Sequence, residues 1–217
     1  MNSEPSVSPE KIAWMESFAP TTCGQALDLG CGPGLYARWL TKRGWDVDAL
    51  DLRAPPPVNG VRVLAHNLEQ GIPFPSGSFG LLLAWDIIEH VANEESLWKE
   101  IHRVLRLGGV LVGSVPHNAD RRLQRYNLTF KHHVDKTHQR EYSPEEVDGR
   151  MRSARLTSVA VTLKGPVSPQ VLSEFVRFPA ARRPVARLIG LARRLGMLTF
   201  GELYGDIFFT GRKEASS

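Results

Sequence analysis

Residues 26–34 read ALDLGCGPG, and this stretch is the most informative part of the sequence. A short apolar run contains Asp28, and glycines then occupy every second position at Gly30, Gly32 and Gly34. Glycine has no Cβ and tolerates positive φ, so such a turn lets the backbone approach a ligand closely. The helical pattern LYARWLTKRG follows at once, and the N–H groups of its first turn would point at whatever lies on the loop. A strand, a glycine-rich turn and a helix in this order predict a nucleotide-cofactor site.

The composition fits one globular domain with a full core. The chain has 217 residues and a formal net charge of +4. Cys23 and Cys31 form neither a CxxC pair nor a metal-binding spacing, so we expect free thiols and a reducing, cytoplasmic location. The sequence contains no run of about 18 apolar residues, so no membrane-spanning helix is predicted. The polar N-terminus lacks the apolar segment of a secretory signal, and Ser8, Pro9 and Glu10 predict the start of a first helix.

Strand and helix patterns alternate along the chain. Strands are predicted at 26–29, 46–50, 61–64, 79–85, 110–115, 156–163 and 206–212, and helices at 35–43, 93–105 and across much of 169–198. The apolar run 79–85 is typical of a central parallel strand that is buried on both faces. Repeated strand–helix units with short loops predict an α/β fold with a mostly parallel sheet.

The glycine spacing argues against a dinucleotide. The GxGxxG fingerprint needs its third glycine at position 35, where Leu35 stands, and Gly34 comes one residue early. The pattern is instead DxGxGxG, from Asp28 to Gly34. Asp51 ends the second strand and suits a ribose diol, because a carboxylate can accept from both hydroxyl groups. Dinucleotides also carry a ribose, so an NAD-dependent oxidoreductase of Rossmann type stays open as an alternative.

Five segments, in this order, resemble the class I S-adenosylmethionine-dependent methyltransferases, and in particular the small-molecule branch that includes ubiquinone-type O-methyltransferases. They are LDLGCGPG at 27–34, ALDL at 49–52, HNLEQGIPFPSGSFG at 66–80, AWDIIEHV at 84–91 and VLRLGGVLVGSVP at 104–116. The resemblance is firm over residues 25–116. After residue 116 only the general order of elements is similar. It departs at Leu107, where many relatives carry proline before the two glycines, but both residues allow the turn.

The resemblance implies a Rossmann-like methyltransferase fold with a seven-stranded, mostly parallel sheet flanked by helices. We expect a single domain with a tail and lid helix at 1–24, a cofactor-binding core at 25–115, an acceptor-site loop at 116–142, and C-terminal strands with a basic helical insertion at 143–217. The cofactor would be S-adenosylmethionine. Its implied binding residues are Asp28, Gly30, Cys31, Gly32, Gly34, Asp51, Leu52, Asn67, Leu68, Trp85 and Asp86.

The acceptor side is expected to use histidine. Methyl transfer is an in-line displacement in which the protein mainly orients the reactants, and an acceptor hydroxyl must also lose a proton. Imidazole titrates near neutrality and suits that role. The stretch 132–142 carries a D-x-T-H-x-x-x-Y pattern that faces the acceptor in similar methyltransferases, so we predict His138 as base or orienting group, His133 second and His90 third. A solvated polar loop with locally bonded histidines is the competing interpretation.

We expect no metal. His133, Asp135 and His138 are potential ligands, but their spacing matches no known finger pattern and sulfonium transfer requires no metal.

The basic stretch at 177–194 holds six arginines and no acidic residue. Three interpretations stay open: a helix packed on the sheet or on a partner, an interfacial helix on an anionic membrane at 177–195, and a site for an anionic acceptor. Nucleic acid is not favoured, because no RNA-binding module is present. A non-catalytic relative that only binds the cofactor is the remaining alternative to an enzyme acting on a small, lipid-linked or anionic acceptor.

Overall fold

The computed structural model describes residues 7–53, 56–118, 137–166, 179–197 and 204–215. The strands are β1 (Gln25–Leu29), β2 (Asp46–Asp51), β3 (Val61–Ala65), β4 (Phe79–Trp85), β5 (Leu105–Pro116), β6 (Thr157–Pro166) and β7 (Tyr204–Arg212). The α-helices are α1 (Pro9–Phe18), α2 (Leu35–Thr41), α3 (Glu94–Val104), α4 (Pro144–Ser153) and α5 (Pro179–Arg194), and short 3₁₀ helices span Leu68–Gln70 and Ile88–His90.

The seven strands form one sheet in the order β3-β2-β1-β4-β5-β7-β6. The first five strands pair in parallel, and β7 runs antiparallel to both β5 and β6. Every residue of β4 is buried, as expected for a strand covered on both faces. The predicted mostly parallel, seven-stranded sheet is therefore confirmed, including the hairpin-like pairing of its last two strands.

Two apolar layers cover the sheet. On one face, Leu97, Ile101 and Val104 of α3 pack into the same cluster as Val147 and Met151 of α4. The α3 residues recur at helical spacing, and each fully buried aliphatic side chain stabilises the fold by roughly 1.5–3 kcal/mol. The other face is covered by α1 and α2. Helices on both faces leave the ends of the strands, rather than the faces of the sheet, open to ligands.

Helix α1 packs on the same face of the sheet as α2, and its first turns lie at the carboxyl end of the strands. The Ser8 side chain caps the helix at Lys11 N, and Ser8 N donates to the Tyr36 hydroxyl over 3.2 Å. Farther along the helix, Trp14 Nε1 donates to the Phe209 carbonyl over 3.2 Å. This confirms the predicted N-terminal helix and brings Lys11 towards the end of β4.

Some element bounds differ from the sequence prediction. β5 begins at Leu105 rather than at residue 110, because the chain continues extended and Leu105 pairs with Phe79 before a register shift. Gly108 still makes the predicted turn, with a φ of 75° and its N–H bonded to Lys213 O over 2.7 Å. Within the described residues, α5 begins at Pro179, as suits proline at a helix start, and continues past Pro184. No helix within the described ranges has both the length and the apolarity to cross a membrane.

Candidate active site

The glycine loop between β1 and α2 adopts the strained turn that its sequence predicts. Gly30, Gly32 and Gly34 have φ values of 65°, 51° and 70°. A Cβ at Gly30 would lie 2.5 Å from the Ile87 side chain, so the loop and the end of β4 meet at a point where only glycine fits. Cys31 N donates to Leu50 O over 3.0 Å and ties the loop to β2. The backbone is thus held close to the carboxyl ends of three neighbouring strands.

Asp51 connects the second strand to this loop. One carboxylate oxygen accepts from Gly32 N over 2.8 Å, and the other accepts from Arg53 N over 3.1 Å. Each carboxylate oxygen has two lone pairs, so both can accept a further bond from a ribose hydroxyl. Leu52 follows with 69% of its surface exposed, which makes it an apolar platform beside the carboxylate. These contacts fit a ribose and an attached base.

Asp28 is a buried acid with an incomplete set of partners. Burial raises its pKa to about 7, and the charge of Asp51 adds to the rise, whereas a hydrogen bond from the Ala37 backbone opposes it. Within the described part of the chain its Oδ2 atom has no hydrogen-bond partner. Burying an unpaired carboxylate is costly, so a bound cation such as an amino acid ammonium would relieve the cost. The methionine part of S-adenosylmethionine carries such a group and fits this position.

Cys31 contributes its backbone rather than a reactive thiol. The side chain is buried, and burial together with the charges of Asp28 and Asp51 raises the pKa of the thiol to about 12. A thiol that stays protonated is a poor nucleophile.

Asn67 and Leu68 make the turn after β3. The Asn67 side-chain oxygen accepts from Glu69 N over 3.0 Å and caps the short 3₁₀ helix, while Leu68 is buried. Glu69 in turn accepts from the backbone N–H groups of Ala92 and Asn93. The turn is therefore braced against the start of α3 at the side of the site where Leu52 lies exposed.

Trp85 closes β4 with a buried ring. Its ring centroid lies 5.7 Å from those of both Tyr36 and Phe208, and Lys11 Nζ lies 5.3 Å from it. The ring belongs to the cluster on the face of α1 and α2, whereas Leu68 belongs to the opposite cluster. Any contact of Trp85 with the cofactor is therefore made beside α1 and not beside Leu68.

Asp86 follows in a conformation that is unusual for a residue other than glycine. Its φ is 49°, and three contacts hold it there: its N–H donates to Ser114 O over 3.0 Å, the Ser114 hydroxyl donates to its carboxylate, and Lys11 forms an ion pair with it. Strain of this kind persists where the surroundings over-determine it, often at functional sites. The sequence predicted Asp86 but not Lys11 or Ser114, which lie 75 and 28 residues away.

The segment that begins at Thr137 lies against the residues that follow β4. Thr137 Oγ1 lies 2.9 Å from His90 Nδ1, and the rings of His90 and His138 meet edge to face with centroids 4.7 Å apart. Gln139 N donates to Glu89 O over 2.8 Å. Two of the three predicted catalytic histidines, His90 and His138, are thus neighbours. The third, His133, lies outside the described residues, as do His132 and Asp135.

Glu94 anchors this segment to α3. The buried Glu94 carboxylate accepts from the Tyr142 hydroxyl over 2.6 Å and pairs with Arg140 and Arg150 at 2.8 and 2.7 Å. Burial and the hydrogen bond to Glu94 raise the pKa of Tyr142, which therefore stays a donor. The loop that carries His138 is consequently held in a fixed position beside Glu89.

Glu89 is a buried acid beside His90 and His138, and its burial was not predicted from the sequence. It is 1% exposed, and burial followed by the charge of Asp86 raises its pKa to about 8. Ligand atoms of Glu89, His90 and His138 lie within 4.8 Å of one another, so they could reach one ion. Of the potential ligands His133, Asp135 and His138, only His138 is among the described residues.

Known methyltransferases are similar to this chain in sequence. The methyltransferase domain family matches residues 13–161. The ubiquinone biosynthesis O-methyltransferase of Pseudomonas aeruginosa is 25% identical over 126 residues, which cover 52% of this chain and 53% of the relative. The sarcosine/dimethylglycine N-methyltransferase of Aphanothece halophytica is 33% identical over 111 residues, which cover 44% and 39%. The chain spans about half the length of the curated relatives that it matches, or less.

A solved structure shares the fold over nearly the whole chain. Phosphoethanolamine N-methyltransferase 2 of Haemonchus contortus, solved in complex with S-adenosyl-L-methionine, matches with a TM-score of 0.66 and 17% identity, covering 95% of this chain and 52% of that one. The family match, together with the glycine spacing, favours the methyl donor over a dinucleotide. The chain therefore belongs to the methyltransferase domain family, within the class I S-adenosylmethionine-dependent methyltransferases.

Proposed function

We propose that this chain is a single domain that binds S-adenosylmethionine and transfers its methyl group to a small-molecule acceptor. The observation that carries the proposal is the hydrogen bond from Gly32 N to the Asp51 carboxylate, which joins the glycine loop to the predicted ribose ligand. Asp28 would face the methionine ammonium, and the backbone from Gly30 to Gly34 would line the methionine part. Leu52, Asn67 and Leu68 would border the adenine.

Calorimetric titration with S-adenosylmethionine tests the donor side. Asp51→Asn should weaken binding by about 100-fold or more, because the ribose loses an ionised acceptor and the loop loses its partner. Asp46→Asn is the matched control, because Asp46 begins the same strand and its carboxylate accepts from Gln25 at the opposite end of the sheet. Binding by the wild type that Asp51→Asn leaves unchanged would refute the assignment, as would a wild type that binds no S-adenosylmethionine.

When bound, the cofactor supplies a methyl group activated by a sulfonium. The chain's own task is to orient an acceptor and to handle its proton. We propose His138 as the orienting group or base, with His90 beside it and His133 as a further candidate. The edge-to-face contact between His90 and His138, and the anchoring of their segments through Glu89 and Glu94, support this assignment.

Turnover measurements test the acceptor side. On a methylated acceptor, His138→Ala should lower kcat by about 10²-fold while leaving the affinity for S-adenosylmethionine unchanged. Loss of transfer with intact cofactor binding would separate His138 from the donor site. If the His138→Ala variant methylates the acceptor at the wild-type rate, His138 is not the base. Absence of transfer to every acceptor, with binding intact, would favour a non-catalytic relative.

We also propose that α5 rests on an anionic membrane surface, where a lipid-linked acceptor would be found. Leu188, Leu191 and Leu195 share one helical face and are 66%, 54% and 64% exposed. Arg187 and Arg194 are exposed on the same helix, and the sequence from 179 to 197 contains no acidic residue. An apolar stripe with arginines suits an interfacial helix.

Sedimentation with vesicles tests this contact. Binding is expected to vesicles that contain phosphatidylglycerol and to be several-fold weaker with phosphatidylcholine alone. Leu191→Glu should abolish it, whereas Leu107→Glu, at an equally exposed leucine elsewhere, should not. Equal sedimentation of the two variants, or no sedimentation of the wild type, would exclude the membrane and leave a protein partner or an anionic acceptor for this helix.

A further inference from the structure

We infer that the methyl acceptor is a cationic amine, and that Asp86, Glu89 and Asp206 form the acidic subsite that recognises it. The inference rests on the proposed function, because it names the class of acceptor that the same site would take. It selects nitrogen over oxygen and carbon as the attacking atom.

The three carboxyl groups converge at the carboxyl end of β4. Asp86 and Glu89 directly follow this strand, and Asp206 stands at the start of β7, opposite Pro116 at the end of β5. Each of Glu89 and Asp206 is close enough to Asp86 for its charge to raise their pKa values. The topology therefore brings together acids that are far apart in the sequence.

The group offers more acceptor oxygens than the described residues satisfy. Glu89 is 1% exposed, and its Oε2 atom has no hydrogen-bond partner in the described ranges. Burial, followed by the charge of Asp86, raises the pKa of Glu89 to about 8 and that of Asp206 to about 6. An unpaired buried carboxyl is unfavourable unless a ligand completes it, and a cation would favour its ionised form.

Lys11 shows what kind of group fits beside these acids. Its ammonium pairs with the Asp86 carboxylate and lies 5.3 Å from the centroid of Trp85, while its side chain is 13% exposed. A carboxylate with an aromatic face is the combination that recognises ammonium ligands in general. The lysine reaches this point from α1, so the chain places one of its own amines beside the predicted transfer site.

A neutral hydroxyl brings no charge that would favour the ionised form of Glu89, whereas an amine binds as the ammonium that does. For transfer, the ammonium releases one proton through His138 to water, and the free nitrogen lone pair forms the new N–C bond. The S–C bond breaks with its electron pair remaining on sulfur. The product is a methylated ammonium, S-adenosylhomocysteine and one proton, so charge and atoms balance.

The test uses matched amines and alcohols with the full chain. S-adenosylhomocysteine formation is measured for butylamine against butanol and for benzylamine against benzyl alcohol, after calorimetry has shown that S-adenosylmethionine binds. We expect turnover of the amines at least tenfold above that of the alcohols. Failure of S-adenosylmethionine binding would refute the proposed function itself. Intact binding with no methylation of either amine, or with the alcohols preferred, would overturn the present inference alone.

Charge-neutral variants then locate the subsite. Glu89→Gln and Asp206→Asn should each raise the KM for the amine about tenfold and leave the affinity for S-adenosylmethionine unchanged. Glu95→Gln is the control, since Glu95 is an exposed acid on α3 that pairs with Lys99. Thermal unfolding checks that each variant folds, and two variants keep the test valid if one does not. An unchanged amine KM, or a loss of cofactor affinity instead, would overturn the inference.

Discussion

The carboxylates at the two ends of the sheet differ in how completely they are paired. At the amino end, Asp46 accepts from Gln25, and the buried Asp48 accepts two hydrogen bonds from Arg62. A cavity of about 440 Å³ opens there, and Asp46, Asp48 and Arg62 line it together with Phe74. Because its acids are already paired, this cavity gives no sign of a missing cation.

At the carboxyl end, two acids are buried without complete pairing. Asp28 Oδ2 and Glu89 Oε2 have no hydrogen-bond partner among the described residues, and the pKa values of both groups are raised chiefly by burial. Such groups lower the stability of the ligand-free chain. Proteins retain them where function requires them. The difference between the two ends thus separates a structural set of carboxylates from one arranged for ligands.

The largest expected effect comes from removing the charge of Asp28. Its pKa of about 7 lies above the ordinary value of 3.8, so the folded chain holds this proton more tightly than the unfolded chain does. The contribution to stability is full below pH 4 and is lost as the pH rises through about 7. In urea denaturation, Asp28→Asn should therefore be the more stable variant by roughly 2–4 kcal/mol above pH 7, and the gap should vanish near pH 4.

Glu89 and Asp206 also have raised pKa values. Both acids are present in the wild type and in Asp28→Asn, so their contributions cancel in the stability difference between the two proteins. Asp46→Asn should show no such dependence. A gap that stays constant with pH would mean that Asp28 has the same pKa in the folded and the unfolded chain. The same Asp28→Asn variant should bind S-adenosylmethionine more weakly, which would separate stability from function at one residue.

A second comparison uses two glycines with similar geometry. Gly30 has a φ of 65° and its added Cβ would meet Ile87 at 2.5 Å, and Gly60 at the amino end has a φ of 76° and would meet Thr41 at 2.7 Å. Alanine at either position should cost about 1–2 kcal/mol of stability. Only Gly30→Ala should also weaken S-adenosylmethionine binding, by about 100-fold in calorimetry. Equal losses of affinity would show that general destabilisation, not the loop, accounts for the effect.

The sequence predicted the backbone of β4 and of the glycine loop well because their signals are local. The apolar run of β4 and the turn glycines impose their conformations on their own residues, so β4 was predicted with its observed bounds and Gly30 to Gly34 with their turn. The start of β5 was missed by five residues because the Gly108-Gly109 signal marks a turn but not the pairing of Leu105 with Phe79.

The electrostatics of the site could not be predicted in this way. The ion pair between Lys11 and Asp86 depends on how α1 docks, which the distant bond from Trp14 to Phe209 decides. The burial of Glu89 depends on the returning segment at 137–142. The sequence shows that Lys11 lies one helical turn from Trp14. It does not show that Lys11 pairs with Asp86 or that Trp14 bonds to Phe209.

The smallest expected effect concerns the paired acids at the amino end. Arg62→Met keeps the aliphatic stem but leaves Asp48, whose side chain is 4% exposed, without its two hydrogen bonds. Removing one partner of a buried charge is destabilising, so the Tm should fall by a few degrees. The control is Arg152→Met, because Arg152 makes the same two-point contact with Asp148, whose side chain is 37% exposed. Water can replace that contact, so its Tm should change little. Equal shifts in thermal unfolding would mean that Asp48 tolerates burial without a partner, and the contrast between the two ends of the sheet would then lose its physical basis.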